Sequence, residues 1–330
     1  GVTTKAVATE RELSLAYSPG VAAPCRVIAE DPSRVGEFTI RRNLVGVITN
    51  GTAVLGLGNI GPLSAKPVME GKAVLFKKYA DIDVFDIEVD ARDPDHFIEV
   101  VAALEPTFGG INLEDIGAPH CFRVERELEA RMKIPVMHDD QHGTAIISAA
   151  ALQNALEIQG KRLEDVRITC VGAGAAAIGC LSLWTCLGVK PENVTLVDID
   201  GIVRADRDHI ADYMAPFARP ASDPRHTLSD AFQDADVMIG LSAGNIVTAD
   251  MIQKMAPKPV IFALANPDPE IPYKLARETR PDAIVGTGRS DIANHVNNVP
   301  GLPYIIPCAL DAGQPHIHEA PTLAAARAPH

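Results

Sequence analysis

The sequence lacks long apolar runs, paired cysteine motifs and an excess of positive charge. No run reaches the roughly 18 apolar residues that a membrane helix needs, and no basic-then-apolar leader opens the chain. Thirty basic residues against 43 acidic ones give a net charge of −13. Nucleic acid and anionic membranes would be repelled, so neither is expected as a partner. The six cysteines show no CxxC spacing, which favours a reduced, cytoplasmic protein.

The length of 330 residues exceeds what one hydrophobic core normally organises, so two domains are expected. Residues 44–57 alternate β-branched and small residues around Asn50-Gly51, which predicts a β-hairpin. Beyond the hairpin, strands are predicted at 82–90, 134–137, 166–174, 193–200, 236–243, 259–267 and 282–288. Helices are predicted at 62–80, from 94 to about 104, at 119–132, at 145–158, at 175–188 and after Thr248. This alternation predicts an α/β fold with parallel sheets.

A glycine-rich string follows the strand that begins near Val166. It fits the GxGxxG/A pattern of dinucleotide-binding turns, with the candidate residues Gly172, Gly174, Ala175, Ala176 and Ala177. The first glycine permits a tight turn, the second lets the backbone approach a pyrophosphate, and the small third position lets helix and strand pack closely. The alternative is an ordinary packing turn of small residues. The position after a strand and before a helix favours a Rossmann-like unit.

The cofactor could be NAD or NADP. Asp198 closes the next strand, where an acid binds the adenosine ribose hydroxyls, and Asp200 lies close behind. These acids favour NAD, because a 2′-phosphate would meet negative charge. Arg204 and Arg207 lie nearby and could reverse the preference.

Two acidic pairs lie just upstream of this unit, Glu114-Asp115 and Asp139-Asp140. A buried carboxylate cluster is costly without a cation, and a hard divalent ion prefers oxygen ligands. The metal candidates are Glu114, Asp115 and Asp140. Of the adjacent Asp139 and Asp140, one could bind the metal while the other orients a catalytic group. The alternative is that these acids cap the helices that follow them.

Four further residues are candidates with ordinary structural alternatives. Lys72 lies in an apolar helix and could act as a base, although such lysines often extend to water. Tyr17 precedes a Ser-Pro-Gly turn, where a packing role is common. Asn266 and Asn298 lie next to prolines or in loops, where asparagine favours turns by itself.

His138 and His142 are spaced as in a zinc-binding helix, but the glutamate of HExxH is missing between them. Zinc is therefore not expected, and a structural role is predicted for both histidines.

Taken together, several motifs resemble the malic enzymes, most closely the bacterial type. The similarity runs in one order from about Leu13 to about Val299, through YSPGVA, VITNGTAVLGLGNIG, KPVMEGKAVLFKK, IDVFDIEVD, EPTFGGINLEDI, HDDQHGTAI, GAGAAAIG, ALANPDPEI and GRSDIANHVNNV. GGINLEDI and HDDQHGTAI are the most specific of these.

The resemblance implies a role for each candidate. It implies Mg²⁺ or Mn²⁺ on Glu114, Asp115 and Asp140, acid and base roles for Tyr17 and Lys72, and substrate contacts from Asn266 and Asn298. Asn266 would also lie near the cofactor.

The implied reaction is the oxidation of L-malate with NAD or NADP and its decarboxylation to pyruvate and CO₂, in a homodimer or higher homo-oligomer. The implied layout is a substrate domain at 1–138, rejoined by about 298–330, and a dinucleotide-binding domain at 139–297. Two alternatives remain: an enzyme that converts malate to lactate or only decarboxylates oxaloacetate, and a cofactor-binding regulatory or scaffold protein without turnover.

The sequence also departs from the family. Ala53 stands where eukaryotic members place a substrate-binding arginine, so the substrate carboxylate must be bound elsewhere. The chain opens as if in the middle of a domain, and nothing in it resembles the phosphotransacetylase-like domain that often follows in bacterial members. We therefore expect a fragment or a variant with altered termini.

Overall fold

The protein has an α/β fold with two sheets. The structure, a computed structural model, describes residues 7–289, 291–292 and 294–296. The first sheet has the strand order β2-β1-β3-β4, with all neighbours parallel. Its strands are β1 (Leu44–Thr49), β2 (Asp83–Glu88), β3 (Gly110–Leu113) and β4 (Val136–His138).

The second sheet is Rossmann-like and has the strand order β10-β9-β8-β5-β6-β7. Its strands are β5 (Ile168–Val171), β6 (Val194–Asp198), β7 (Gly201–Ile202), β8 (Val237–Gly240), β9 (Val260–Ala263) and β10 (Ile284–Thr287). All neighbours are parallel except β7, which runs antiparallel to β6. The predicted strands after residue 80 are thus confirmed, each within a few residues.

Eleven α-helices connect or flank these strands within the described residues. They are α1 (Glu10–Ala16), α2 (Ala22–Glu30), α3 (Val35–Phe38), α4 (Pro62–Ala80), α5 (Pro94–Ala103), α6 (His120–Arg131), α7 (Asp139–Gln159), α8 (Ala175–Leu187), α9 (Leu228–Ala231), α10 (Ala249–Gln253) and α11 (Tyr273–Thr279). None of the described helices has the length and apolar character required to span a membrane.

Local sequence signals explain several helix boundaries. The Asp93 side chain accepts the His96 N–H at 3.0 Å, and Pro94 occupies the first turn of α5. Thr248 likewise caps α10 by accepting the Met251 N–H. Helix α4 spans the predicted residues and has Lys77 in its last turn, where a cation favours the helix C-terminus.

The predicted β-hairpin at residues 44–57 is wrong. Strand β1 ends at Thr49, and Gly51 has a φ of +66° in the loop that follows. The Gly51 N–H donates to the Thr49 hydroxyl at 2.9 Å, which turns the chain away from the sheet. Because β1 already pairs in parallel with β2 on one side and β3 on the other, no free edge remains for a hairpin partner.

Helix α7 begins at Asp139, six residues before the predicted start. Asp139 and Asp140 therefore lie in its first turn, where the exposed N–H groups of a helix favour negative charge. Glu125 of α6 holds this end, because its carboxylate accepts the His138 N–H at 2.7 Å and the Gln141 amide at 2.9 Å.

Helix α7 packs against both halves of the molecule. Ile146 contacts the apolar cluster of β1 and α4, while Ala149 and Leu152 belong to the core that covers β5 and α8. The predicted domain boundary between residues 138 and 139 coincides with the start of this helix and stays a prediction.

Candidate active site

Three carboxylates meet where two neighbouring strands end. Glu114 and Asp115 directly follow β3, and Asp140 lies one residue into the helix that follows β4. One oxygen from each lies within 4.8 Å of the others. Glu114 and Asp115 are 4% and 3% exposed, whereas the Asp140 side chain is 33% exposed. Among the described residues this cluster contains no histidine.

The carboxylates repel one another in a buried setting. Burial, followed by the charge of Asp140, raises the pKa of Asp115 to about 8. Burial also raises the pKa of Glu114 and of Asp140. The Asp115 Oδ2 atom is buried without a hydrogen-bond partner, and Asp115 has a φ of +55°, a strained backbone conformation for a non-glycine residue. The cluster is thus suited to a bound cation.

Lys72 supplies positive charge beside this cluster. It extends from α4, its Nζ lies 3.2 Å from Glu114 Oε1, and it donates a hydrogen bond to Asp139. Burial lowers the pKa of Lys72, but the charges of Asp139 and Glu114 together outweigh burial and hold it above its ordinary value. Lys72 is therefore protonated in this arrangement.

The glycine turn lies between β5 and α8. Gly172 has a φ of +110°, and a Cβ there would lie 2.5 Å from the Leu241 carbonyl oxygen, so only glycine fits. Gly174 has open space where its Cβ would point, which leaves the N-terminus of α8 accessible. Ala177 is fully buried between helix and sheet. The three positions thus have the geometry expected of a dinucleotide turn.

A single cavity of about 390 Å³ joins the two features. Its lining includes the predicted residues Lys72, Glu114, Asp115, Asp140, Gly174, Ala175, Ala176 and Asn266. Ala53 also lines the cavity, and Lys72 is the only cationic side chain among the described lining residues. The structure therefore brings most of the predicted site together.

Not every predicted residue lines this cavity. Tyr17 follows α1, is 72% exposed and does not line the cavity of its own chain, so its catalytic role stays a prediction. The physical reason is that neither α1 nor α2 buries a single residue, so nothing holds Tyr17 against the cavity. Asn298 lies outside the described residues.

Asp198 ends β6, beside the glycine turn, and does not line the cavity. Of the two histidines predicted to be structural, His142 contacts Glu125, whereas both ring nitrogens of His138 are buried without a hydrogen-bond partner. His142 Nε2 lies 2.9 Å from Glu125 Oε1, and His138 is fully buried.

Sequence reasoning missed two buried acids that hold the loops of the site. Glu270 is fully buried, and its carboxylate accepts the Ser242 N–H at 2.9 Å and the Ala265 N–H at 3.2 Å. The other acid is Glu125, described above. A signal existed for Glu125, because it shares the buried stripe of α6 with Cys121, Val124 and Leu128. No pattern around Glu270 indicates burial.

Comparisons with known proteins agree with this geometry. Residues 2–129 match the family model described as malic enzyme, N-terminal domain, and residues 141–299 match the malic enzyme, NAD binding domain. A solved structure, the NAD-dependent malic enzyme of Thermotoga maritima, is 45% identical with a TM-score of 0.92, over 99% of this chain and 86% of that one. The chain belongs to the malic enzyme family.

Curated malic enzymes are also similar to the chain. An NADP-dependent malic enzyme of Escherichia coli (strain K12) is 57% identical over 98% of this chain. An NAD-dependent malic enzyme of Rhizobium meliloti (strain 1021) is 55% identical over the same share. The chain spans 43% and 42% of the lengths of these relatives, which is less than half. Malic enzymes of both cofactor types are thus almost equally similar to it.

Proposed function

We propose that the chain catalyses the oxidative decarboxylation of L-malate to pyruvate and CO₂, with reduction of NAD or NADP. The observation that supports this best is the single cavity that reaches both the carboxylate cluster and the glycine turn. Oxidation requires the dinucleotide beside the substrate. Decarboxylation requires positive charge near the C2 oxygen, which takes up the electron pair of the breaking C3–C4 bond.

Mg²⁺ or Mn²⁺ fits the donor set of Glu114, Asp115 and Asp140. All three offer carboxylate oxygens, which hard cations prefer, and the orphaned Asp115 Oδ2 would gain a partner. When bound, the ion would supply a Lewis acid that polarises the C2 oxygen of the substrate. Asp140 reaches the cavity from the first turn of α7. The Asp115 N–H donates a hydrogen bond to Asp140 Oδ2 at 2.9 Å, which keeps the two acids together.

Lys72 is the proposed base for the C2 hydroxyl, and Asp139 the residue that orients it. The hydrogen bond from Lys72 to Asp139 fixes the direction of the amine. A protonated amine cannot accept a proton, so this role requires a further positive charge among the carboxylates to lower the pKa of Lys72. Once the hydroxyl proton is removed, C2 can give up its hydride to the dinucleotide. The C3–C4 bond then breaks, CO₂ leaves, and C3 takes up a proton.

The remaining roles are assigned according to which residues line the cavity. Asn266 is placed to contact substrate or cofactor, because it lines the cavity in the loop after β9. The proposed substrate contact of Asn298 rests only on the resemblance to the malic enzymes. Tyr17 is the proposed donor of the proton to C3, and since it is absent from the cavity of its own chain, it would have to reach the cavity of a second chain.

A homo-oligomer is the assembly we propose. Helices α1 and α2 bury no residue, and Leu13 and Leu15 are 56% and 66% exposed. Exposed leucines on a helix that buries nothing suit contact with a second copy of the chain. A cytoplasmic location is likewise proposed, from the cysteine pattern.

The test combines malate, Mn²⁺ and each dinucleotide, and measures both pyruvate and the absorbance of reduced dinucleotide. Asp140→Asn should abolish metal-dependent turnover and weaken Mn²⁺ binding, measured by electron paramagnetic resonance, without changing dinucleotide binding. Asp95→Asn is the control, because Asp95 is exposed on α5 and pairs with Arg123. Unchanged turnover in Asp140→Asn would reject the metal assignment. Lactate without net reduced dinucleotide would favour the malolactic alternative, and binding without any turnover would favour the scaffold.

A further inference from the structure

The adenosine end of the dinucleotide site can be located from the backbone. The Gly172 N–H donates to the Val197 carbonyl at 2.8 Å, so Asp198 at the end of β6 lies directly beside the glycine turn. In a Rossmann unit an acid at this position faces the adenosine ribose. Ile199, the next residue, is 99% exposed and offers an apolar side chain for the adenine ring to cover.

Asp198 is held in one orientation. Arg207 binds it through two hydrogen bonds, of 2.7 Å to Oδ2 and 3.0 Å to Oδ1, and Oδ1 also accepts the Asp200 N–H at 2.9 Å. Each carboxylate oxygen accepts about two hydrogen bonds. Oδ1 is therefore occupied, whereas Oδ2 keeps one site that a ribose hydroxyl can use.

Arg207 is not available for a phosphate. Its Nη2 also donates to the carbonyls of Gly201 and Ile202, at 2.9 and 2.8 Å, so turning outward would break these bonds as well as the ion pair. Its charge is balanced by Asp198, which is only 17% exposed.

Arg204 is unavailable for a stronger reason. It is 7% exposed, and all five N–H groups of its guanidinium have acceptors. These acceptors are the Asp206 carboxylate and the carbonyl oxygens of Ala221, Asp223 and Arg225. The arginine therefore stabilises the loop after β7 and cannot face the ribose.

The remaining charge at this end is negative. Asp200 is exposed and adds a second negative charge beside the pair of Asp198 and Arg207. A 2′-phosphate, with about −1.5 to −2 charge, would lie beside Asp198 and Asp200 without a free arginine. Overall similarity does not decide the cofactor, since NADP- and NAD-dependent relatives are 57% and 55% identical.

We infer that the dinucleotide site selects NAD over NADP, with Asp198 binding the ribose and Asp200 repelling a 2′-phosphate. This preference rests on the proposed function, since it concerns the dinucleotide of that reaction.

Equilibrium titration of the protein with NADH and with NADPH, followed by the fluorescence of the reduced dinucleotide, tests the preference without turnover. NADH should bind at least about tenfold more tightly than NADPH. In Asp200→Lys the ratio should shift toward NADPH by about tenfold or more. Glu278→Lys makes the same change of charge on exposed α11 and should leave the ratio unchanged.

Equal or tighter binding of NADPH by the unaltered protein would overturn the preference for NAD but not the proposed function. A ratio that does not move in Asp200→Lys would remove Asp200 from its role. Binding of neither dinucleotide would overturn the dinucleotide part of the proposed function, and the preference with it.

Discussion

At the scale of single residues, the site depends on charges that are unfavourable unless they are balanced. The sequence predicted Glu114, Asp115 and Asp140 as neighbours, and the structure places them together, because the carboxyl ends of adjacent parallel strands meet at one edge. It could not predict the position of Tyr17, since a motif identifies a residue without stating which surface holds it. The sequence could not predict the ion pair of Arg207 and Asp198 either, because this pair depends on the β6–β7 turn.

The raised pKa of Asp115 predicts how pH affects metal binding. The pKa is about 8 in the fold, against about 3.9 in an unfolded chain. Between these two pH values the Asp115 carboxyl is protonated in the folded state and ionised in the unfolded state. Its contribution to the free energy of unfolding therefore decreases as the pH rises through that window. Mn²⁺ needs the ionised form, so its affinity should increase between about pH 6 and about pH 8, by up to about tenfold per pH unit for each proton released.

The measurement is the dissociation constant of Mn²⁺ by electron paramagnetic resonance, with the melting temperature recorded with and without Mn²⁺. Asp115→Asn should flatten the pH dependence as well as weaken binding. An affinity that is constant across this range would contradict the assignment of Asp115 as a ligand that loses a proton.

At the scale of elements, most helices and strands followed from periodicity and capping residues. The hairpin failed because the Asn50-Gly51 signal is local, whereas the parallel partners of β1 come from residues about 40 and 65 positions further along the chain. The start of α7 was missed for a similar reason. Its first turn is stabilised by Glu125 from another helix, which the sequence around Asp139 does not reveal.

Glu270 should act as a positioning residue for two loops of the cavity. Its two carboxylate oxygens join Ser242, after β8, to Ala265, after β9, and both loops line the cavity. In Glu270→Gln one amide N–H₂ would face a backbone N–H, so a buried hydrogen bond is lost. We expect a loss of about 1 to 3 kcal/mol in unfolding free energy.

The diagnostic readout is kinetic. KM for malate and for the dinucleotide should rise more than kcat falls, because the loops that bind them are displaced while the base and metal ligands stay in place. Glu278→Gln, on exposed α11, is the matched control. If Glu270→Gln lowers only stability and leaves both KM values unchanged, Glu270 has no positioning role.

At the scale of the whole molecule, two sheets face one cavity, and α7 packs against both of them. The N-terminal helices α1 and α2 lie outside this arrangement, as does Tyr17. The fold class was predictable from the alternation of helices and strands. The assembly was not, because exposed leucines do not identify the surface that covers them.

Complementation between chains tests the proposed role of Tyr17. Lys72→Ala and Tyr17→Phe should each reduce turnover by orders of magnitude when tested alone. Chains mixed after unfolding and refolding together should regain part of the activity, because a mixed dimer contains one cavity with Lys72 that is reached by an intact Tyr17. Light scattering should report a mass above that of one chain. If mixed dimers are verified and the mixture still shows no more turnover than either variant alone, Tyr17 does not act in the cavity of a second chain.

The contact between α7 and α8 has one more consequence. A Cβ at Gly179 would lie 2.4 Å from the Gln141 carbonyl oxygen, so the two helices touch backbone to backbone near their first turns. One of these helices begins at the acids, and the other begins at the glycine turn. The separation of the acids from the glycine turn is therefore constrained by main-chain atoms, which cannot adjust as side chains do. Loops around the cavity can change in length or charge, altering what is bound, while the separation of these two helix starts is kept.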